Sequence, residues 1–415
     1  MFSDKNALFL YPADNSGFPA RFDELRKHFK SSRLLNFVAY SHEHGIKNTE
    51  RHIKELIARE KIDILLSYPF ATDYQLSVDF YDSLRSKVKL VFGFMDDATY
   101  FEVYDKYYAQ VADAVTTVDY AAIFAYKRLG IPAVLCQEVF FENNLAPVPV
   151  EKDIDVCFIG DVRKRGRREY LKFLRDAGIN VVVYGQGSEN GFLPLEKMSE
   201  YICRSKINLN FSQNARLSWI NSDEPMLNRV RVDTYRPREI ALAGGFCLCE
   251  YSPFLSVMFE PGKELATFRD KAELLEKVRF YLADPQKRDA LDLAAHKRAM
   301  ENYRQDAVAR RLLTDLKGVL ESPEESSALK DEIYLSDSFK VKEINGLTFS
   351  MFIMVGNGKV RFALEAFRLL FKNGFRIFLK GFYGGTVRAL RSALAKIAGT
   401  YRVSIPRLGA RRRYL

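Results

Sequence analysis

Cysteine is scarce in this sequence, which has five in 415 residues, and no pair of cysteines shows the spacing of a zinc site. Cys247 and Cys249 lie two residues apart in an apolar, strand-like run, so both side chains should face the same side of that strand. Such a pair suits core packing better than metal binding. We therefore predict buried, reduced cysteines in a reducing compartment, which excludes a disulfide-stapled secreted scaffold.

Long apolar runs are also missing. The longest stretch without a charged residue, 344–358, has about fifteen residues, whereas a helix needs roughly twenty apolar residues to span a bilayer. The first residues lead directly into the strand-like run Ala7–Tyr11, so no signal peptide fits there. A cytoplasmic chain without a membrane span is expected.

Acidic residues are nearly absent from the end of the chain. Residues 355–415 contain fourteen Lys or Arg and one acid, Glu365, which leaves 49 basic and 52 acidic residues elsewhere. Phe, Leu and Ile alternate with the cations over 362–379, and a second basic stretch covers 387–398. Residues 346–415 therefore predict a basic amphipathic extension that binds an anionic membrane surface. The alternative is a helical segment that packs on a domain or oligomerises.

Two segments of alternating strands and helices precede this extension. In the first, the strand candidates are Ala7–Tyr11, Leu35–Tyr40, Ile62–Ser67, Val88–Phe94, Ala114–Thr117 and Ala133–Cys136. In the second they are Ile154–Ile159, Asn180–Tyr184, Ile207–Phe211 and Phe246–Glu250. Apolar strands that alternate with amphipathic helices indicate parallel sheets covered on both faces. The fold class predicted is α/β, with two Rossmann-like domains facing a cleft.

The domain boundaries follow from composition. Residues 143–153 contain two prolines among polar residues and predict an interdomain linker, so the domains are assigned to 1–150 and 151–320. Residues 321–345 are polar and charged and predict a flexible connector to the extension at 346–415.

Residues 236–245 carry the clearest functional signal. Arg236 and Glu239 open a predicted helix that ends at Gly244 and Gly245, just before a buried strand. A glutamate in the first turn of a helix beside a strand end can accept hydrogen bonds from a ribose diol, and Arg236 can meet a phosphate. This pattern predicts a nucleotide-binding site.

Three loops at strand ends add candidate ligand contacts. Gly160, Arg163, Lys164 and Arg167 lie where a strand leads into a helix, a place that favours anions. Gly185 ends the next strand, where a glycine allows close approach of a ligand or simply makes a tight turn. In the first domain, Ser16 and Gly17 follow the first strand and either touch a donor phosphate or cap a helix.

Adjacent carboxylates supply the candidate base. Asp96 and Asp97 follow a strand of the first domain and either act as a general base or cap the next helix. His42 and His44 flank an acid in a predicted surface turn, but no third metal ligand is evident. No metal site is predicted.

Residues 154–311 resemble the spore-maturation-type glycosyltransferases, which belong to the group 1 glycosyl transferases and have the two-Rossmann GT-B fold. The matching segments are 154–160, 207–211, Arg236-x-x-Glu239 with the Ala-x-x-Gly-Gly that follows, 259–264, 268–274 and 281–285. The first domain matches only by its alternation and by residues 94–97, and the extension does not match.

The resemblance implies transfer of a sugar from a nucleotide-sugar, which is a substrate, with no cofactor and no obligatory metal. It assigns the diphosphate to Arg163, Lys164 and Arg167 and the ribose to Glu239. Related retaining enzymes grip the donor with a Glu-x7-Glu motif, but the first position here is Arg231, so the stereochemical outcome stays open. If Asp96 or Asp97 is a base, inversion becomes plausible.

The function predicted is a peripheral glycosyltransferase at the cytoplasmic membrane face, acting on a cell-surface glycan or lipid-linked acceptor. The broken motif leaves a non-catalytic nucleotide-sugar-binding or scaffold protein as an alternative. Nucleic-acid binding through the basic extension is a third reading, and it is disfavoured because no known binding module is present and the body is near neutral.

Overall fold

A computed structural model describes residues 2–13, 17–69, 74–137, 145–164, 166–213, 231–232, 234–322 and 332–397. The chain divides into two compact units. Unit 1 contains residues 1–117, 123–134 and 313–413, and unit 2 contains residues 118–122, 135–312 and 414–415. Each unit is built on one sheet.

The first sheet has six strands in the order β2-β1-β3-β4-β5-β6. Its strands are β1 (Phe2–Tyr11), β2 (Phe29–Asn36), β3 (Ile64–Ser67), β4 (Lys89–Phe94), β5 (Ala114–Thr117) and β6 (Ala133–Leu135). The helical segments that alternate with them are α1 (Gly17–Ala20), α2 (Asp23–Arg26), α3 (Phe37–His44), α4 (Ile46–Arg59), α5 (Val78–Asp82), α6 (Asp97–Tyr100), a π-helical turn (Phe101–Asp105), α7 (Lys106–Ala109) and α8 (Tyr120–Arg128). β1 to β5 pair in parallel.

The second predicted strand is displaced. We expected it at Leu35–Tyr40, but β2 covers Phe29–Asn36, and Phe37 begins α3, for which the Asn36 side chain accepts the N–H of Ala39 as an N-cap. β2 is the edge strand of the sheet and is only partly buried, so its sequence lacks the continuous apolar run of an inner strand. The apolar residues that follow belong to the buried face of α3.

The second sheet has five parallel strands in the order β11-β10-β9-β7-β8. Its strands are β7 (Ile154–Ile159), β8 (Val181–Tyr184), β9 (Ser205–Asn210), β10 (Cys247–Glu250) and β11 (Ala266–Phe268). The helices are α9 (Arg167–Asp176), a 3-10 turn (Leu195–Lys197), α10 (Met198–Arg204), α11 (Arg236–Leu242), α12 (Leu255–Met258), α13 (Lys271–Ala283), α14 (Pro285–Asn302) and α15 (Gln305–Glu321). The bounds of β7 to β10 agree closely with the sequence prediction, whereas β11 and α12 were not predicted.

Both faces of the second sheet are buried. Over residues 156–159 of β7, Cys157 and Ile159 belong to one core cluster, whereas Val156 and Phe158 belong to another. Alternate residues of one strand thus enter two cores, as expected for a parallel sheet with helices on both sides. Cys247 and Cys249 both lie in the first cluster, and all five cysteines are buried and free, which confirms their structural interpretation.

Three further helices follow α15. They are α16 (Asp337–Gly356), α17 (Val360–Leu369) and α18 (Phe375–Ile397). Ser336 accepts the N–H of Phe339 as the N-cap of α16, so this helix begins inside the segment for which a flexible connector was expected. These helices cluster with unit 1, and the division between units falls at Leu135, before the expected linker at 143–153.

Contacts within unit 1 hold the start of α16. The Phe339 ring stacks on Tyr107 at 4.4 Å between ring centres, and the hydroxyls of Tyr107 and Ser336 are 2.7 Å apart. Gln110 exchanges two hydrogen bonds with the backbone of Tyr334. The helices are therefore an integral layer of unit 1. None of the described helices is sufficiently long and apolar to cross a membrane.

Candidate functional site

The strand order of the second sheet creates a switch point between β7 and β9. The chain leaves β7 toward β8 on one side, and β9 returns on the other side of β7. Ligands of open α/β sheets bind outside the carboxyl ends of strands at such a point. The residues placed there are those that follow β7, from Gly160, and those that follow β9, from Phe211.

A buried arginine joins the two loops of the switch point. The Nη1 of Arg167 donates to the carbonyl of Asp161 at 3.0 Å, and Nη2 faces the carbonyls of Phe211 and Gln213 at 3.4 and 3.3 Å. Burial lowers the pKa of Arg167 to about 10, so its guanidinium stays charged at neutral pH. The N–H groups of Arg167 therefore point at protein carbonyls. The sequence analysis had assigned this side chain to the diphosphate of the donor.

Arg163 is also engaged within the loop. Its Nε and Nη2 donate to the two carboxylate oxygens of Asp161 at 3.0 and 2.9 Å, a bidentate pair, and its backbone N–H donates to the same carboxylate. Lys164 lies half-buried in the same turn, where its carbonyl faces the N–H of Arg167 at 3.4 Å. Asp161 was missed as a site residue, although it follows Gly160 directly in the sequence.

The glycines of this edge serve backbone packing. A Cβ on Gly185, whose φ is +119°, would lie 2.1 Å from the carbonyl oxygen of Gly160. The N–H of Gly160 donates to the carbonyl of Tyr184 at 2.8 Å. The two strand ends therefore touch through their backbones, and the space left by the missing side chain of Gly185 is filled by protein rather than held open for a ligand.

Arg236 and Glu239 form a largely buried ion pair at the start of α11. Their side chains approach to 2.7 Å, with exposed fractions of 13% and 6%. The structure brings this pair to the switch point, because the hydroxyl of Thr234, two residues before Arg236, donates to the side chain of Asn210, the last residue of β9, at 2.9 Å. Both residues thus lie at the predicted edge, but each has the other as a partner.

Gly244 and Gly245 lie at the opposite edge of the sheet, which corrects their assignment to the donor site. They follow the carboxyl end of α11 and precede the amino end of β10. A Cβ on Gly244, with φ of +70°, would lie 3.1 Å from Pro147, and one on Gly245 would lie 2.4 Å from Ile202. Their role is to end the helix and to pack closely.

Two charged residues at this site were missed from the sequence. The buried carboxylate of Glu250, at the end of β10, accepts the N–H groups of Ser212 and Gln213 at 2.9 and 3.1 Å. Arg231, which occupies the first position of the Glu-x7-Glu motif, has its Nε 3.4 Å from Glu250. The position of Glu250 at the end of a predicted strand was an available signal.

The predicted site residues of unit 1 lie in different environments. Ser16 lies outside the described residues, and Gly17 is the first residue of α1. Asp97 is buried, and its carboxylate accepts hydroxyl hydrogen bonds from Thr117 at 2.6 Å and Tyr126 at 2.5 Å. Asp96, which precedes α6, is only partly buried. Of the two carboxylates, Asp97 therefore serves as an internal acceptor.

His42 and His44 lie on α3 rather than in a surface turn. His42 is buried, its carbonyl accepts from the ammonium of Lys359 at 2.5 Å, and its ring lies 3.2 Å from the Asn357 side chain. Burial lowers its pKa, and the charge of Lys359 adds to that effect. Within the described part of the chain, no group of three His, Cys, Asp or Glu side chains is placed to hold a metal ion.

Comparison with known proteins shows which fold this chain shares. Residues 163–314 match the family model described as "Glycosyl transferase-like", a range that contains Arg167, Arg236, Glu239 and Glu250. HepE from Anabaena, solved with UDP-glucose, is 12% identical, with a TM-score of 0.54 over 76% of this chain and 100% of HepE. The chain has the GT-B fold, and residues 163–314 form a glycosyl transferase-like domain.

Two other solved structures share this fold. The sucrose-phosphate synthase from Thermosynechococcus elongatus is 11% identical, with a TM-score of 0.52 over 76% of this chain and 99% of its own. A glycosyltransferase from Rickettsia africae is 11% identical, with a TM-score of 0.50 over 77% and 99% of the two chains. No curated protein matches the sequence significantly.

Proposed function

We propose that this protein is a glycosyltransferase, which moves a sugar from a nucleotide-sugar to a cell-surface glycan or lipid-linked acceptor at the cytoplasmic face of the membrane. The donor is assigned to the switch point of the second sheet, with its diphosphate near Arg236 and its ribose at Glu239. The UDP-glucose found in HepE supports a nucleoside diphosphate sugar as the donor class.

The observation that carries this proposal is the buried Arg236–Glu239 pair at the start of α11. Each charge of a buried pair needs a partner, because an isolated buried charge costs several kcal/mol. A nucleotide-sugar offers both partners at once. Its diphosphate neutralises Arg236, and its ribose hydroxyls donate to Glu239. Each residue thus replaces its present partner by a group of the ligand, and neither charge is left unpaired.

The loop after β7 supports the same donor position. Arg163 keeps 36% of its side chain exposed while bound to Asp161, so its guanidinium can turn to a phosphate at the cost of that bond. Lys164 extends from the same turn. Arg167 contributes by fixing the loop carbonyls, and its positive charge favours the leaving diphosphate as the glycosidic bond breaks.

We assign the base to Asp96, on unit 1. Asp97 already accepts two hydroxyl hydrogen bonds and is buried, so its carboxylate is committed to Thr117 and Tyr126. Asp96 would accept the proton of the acceptor hydroxyl as that oxygen attacks the anomeric carbon, which corresponds to inversion of configuration. No cofactor takes part, and the nucleotide-sugar is a substrate.

The experiment is transfer of radiolabel from a panel of nucleotide-sugars into membrane lipid and glycan extracts, with purified wild-type protein and the Asp96→Asn variant. The proposal predicts label in the organic or glycan fraction with one donor, and loss of at least about 100-fold in rate for the variant. Asp113→Asn is the control, because Asp113 lies in the same unit at the amino end of β5, where its carboxylate accepts from Lys89 and from the backbone N–H of Leu90. If Asp96→Asn transfers label as fast as the wild type, Asp96 is not the base. If the wild type transfers label from none of the donors, the proposed transfer reaction is wrong.

A further inference from the structure

Helices α17 and α18 of unit 1 expose large apolar side chains to solvent. The residues are Val360, Leu364, Phe367, Phe371, Phe375, Leu379 and Tyr383, which we call the apolar face. Phe375 and Tyr383 are 69% and 73% exposed. Isolated exposed apolar residues are common, but a contiguous group of this size marks an interaction surface. We propose that the apolar face docks unit 1 onto an anionic lipid bilayer.

This inference rests on the proposed function, since a membrane-bound acceptor needs the enzyme at the membrane. It goes further by naming the surface that makes contact. It also separates the two interpretations of the basic extension, because the same helices both pack on unit 1 and keep one face outward.

In α17 the inward and outward faces are distinct. Ala363, Ala366 and Leu370 are buried, while Glu365 accepts the backbone N–H of Lys47 at 2.7 Å. The exposed residues recur at spacings of four, three and four from Val360 to Phe371, which is one stripe of a helix. The only acid in the sequence of residues 355–415 is therefore bound to the start of α4.

In α18 small residues face inward and large apolar residues face outward. A Cβ on Gly381 would lie 2.5 Å from Ile344 of α16, and one on Gly385 would lie 2.5 Å from Thr348. Phe375, Leu379 and Tyr383 are four residues apart and exposed, on another side of the helix. The core of unit 1 thus uses the glycines, and the large side chains are left for another partner.

The two stripes join through the connection between the helices. The Phe371 ring packs on Phe367 at 5.3 Å and on Phe378 at 4.3 Å between ring centres, and Phe378 packs on Phe382 at 5.3 Å. The rings of these phenylalanines, together with Phe375, therefore form one chain of contacts. The face is one continuous, ordered surface rather than a set of separate side chains.

The charges around the apolar face select the partner. Six exposed cations lie along the two helices and their connection, namely Arg361, Arg368, Lys372, Arg376, Lys380 and Arg391. Lys372 is paired with Asp79 at 3.1 Å, and the other five flank the stripes. An apolar stripe flanked by cations matches the interface of an anionic bilayer, where apolar groups enter the acyl boundary and cations meet phosphates. Two other occupants of the apolar face fit these charges less well. A second copy of this chain would bring its own cations against them, and residues 398–415 of the sequence, with five arginines and no acid, would also add positive charge.

The test is flotation of the full-length protein with vesicles of phosphatidylcholine alone and of phosphatidylcholine mixed with phosphatidylglycerol. The triple variant Phe371→Ser, Phe375→Ser, Leu379→Ser removes exposed apolar groups without emptying the core. Its matched control is Phe280→Ser, Leu293→Ser, Met300→Ser, which removes exposed apolar groups from unit 2. We expect binding to the mixed vesicles that falls by at least about tenfold in the first triple only.

Insertion is measured with a tryptophan at position 375. In a chain whose single tryptophan is removed by Trp219→Phe, the Phe375→Trp variant should show a blue-shifted emission quenched by brominated lipids. Arg368→Gln, Arg376→Gln, Lys380→Gln should weaken binding to the mixed vesicles and flatten its salt dependence. Equal flotation of both triple variants, or an unquenched tryptophan, would overturn the proposal.

Two readouts distinguish this inference from the proposed function. Nucleotide binding is measured for each variant by titration without lipid, where the apolar-face variants should equal the wild type. If the wild type binds vesicles but no nucleotide, the proposed donor site is wrong and the proposal for the apolar face still stands. Dimers of the wild type that become monomers in the Phe371→Ser triple would assign the face to a second copy and overturn the bilayer proposal.

Discussion

The Arg236–Glu239 pair predicts a coupling energy that a donor nucleotide reduces. At 2.7 Å, two unit charges attract by about 6 kcal/mol for an effective dielectric constant of 20. Desolvation of both side chains cancels much of this, because they are only 13% and 6% exposed. We expect Arg236→Met or Glu239→Gln alone to lower the free energy of unfolding by about 3 kcal/mol, and the double variant to lose far less than the sum.

The assay is urea unfolding of wild type, both single variants and the double variant, with and without saturating nucleoside diphosphate. Without nucleotide, the cycle should give a coupling of about 2–3 kcal/mol. With nucleotide, the coupling should fall by more than half, because each side chain then has a ligand partner. A coupling below about 0.5 kcal/mol without ligand, or one that nucleotide leaves unchanged, would refute the exchange of partners.

Three further predictions follow from individual contacts. Gly185→Ala should destabilise unit 2 by about 2–4 kcal/mol in thermal unfolding, since its Cβ meets the Gly160 carbonyl, whereas Gly191→Ala, also at positive φ but with open space around it, should cost only about 1 kcal/mol. Burial raises the pKa of Glu343 to about 7, so the folded carboxyl binds a proton between pH 4.5 and 7 that the unfolded chain has lost, and stability falls as pH rises. Glu343→Gln should therefore gain stability relative to wild type, by up to about 3 kcal/mol, between about pH 5 and pH 8 in unfolding titrations, and a constant difference would contradict the assignment. Asp97→Asn should lower stability by about 1–3 kcal/mol through its bonds to Thr117 and Tyr126, and a variant that keeps full stability but loses turnover would instead make Asp97 the base.

The fold was largely predictable because buried parallel strands have a strong sequence signal. β7 was predicted at Ile154–Ile159 and lies there, since an inner strand covered on both faces is a continuous apolar run. β2 was displaced because an edge strand needs no such run, and its residues Lys30, Ser31 and Arg33 resemble a loop. Strand periodicity thus identifies the centre of a sheet more reliably than its edge.

The sequence predicted where the residues of the candidate site lie better than it predicted which side chains they contact. Arg236 and Glu239 lie at the switch point because a helix that follows a strand begins at the carboxyl edge of the sheet. Gly244, close to them in sequence, lies at the other edge, because the intervening helix carries the chain back across the sheet. The pairing of Arg163 with Asp161 depends on the closed shape of one turn, which spacing alone does not encode.

The C-terminal helices show another limit of composition. Alternating Phe and Arg predicts an amphipathic helix, but both a bilayer and a protein core can receive its apolar side. The outcome depends on Gly381 and Gly385, which let α18 approach α16 closely while its large side chains stay outside. Glycine in a helix would ordinarily be taken as a weakness of that helix.

Thermal stabilisation by nucleotides tests the central claim most directly. Wild type, Glu239→Ala and the exposed-site control Glu260→Ala are each heated with UDP, GDP, dTDP, ADP or CMP, since a ligand of the folded state raises the melting temperature by mass action. A donor site at Arg236 and Glu239 predicts a selective shift with one nucleotide that is retained in Glu260→Ala and weakened in Glu239→Ala. No shift with any nucleotide at millimolar concentration, or a shift that Glu239→Ala preserves in full, would contradict the assignment of the donor to this site.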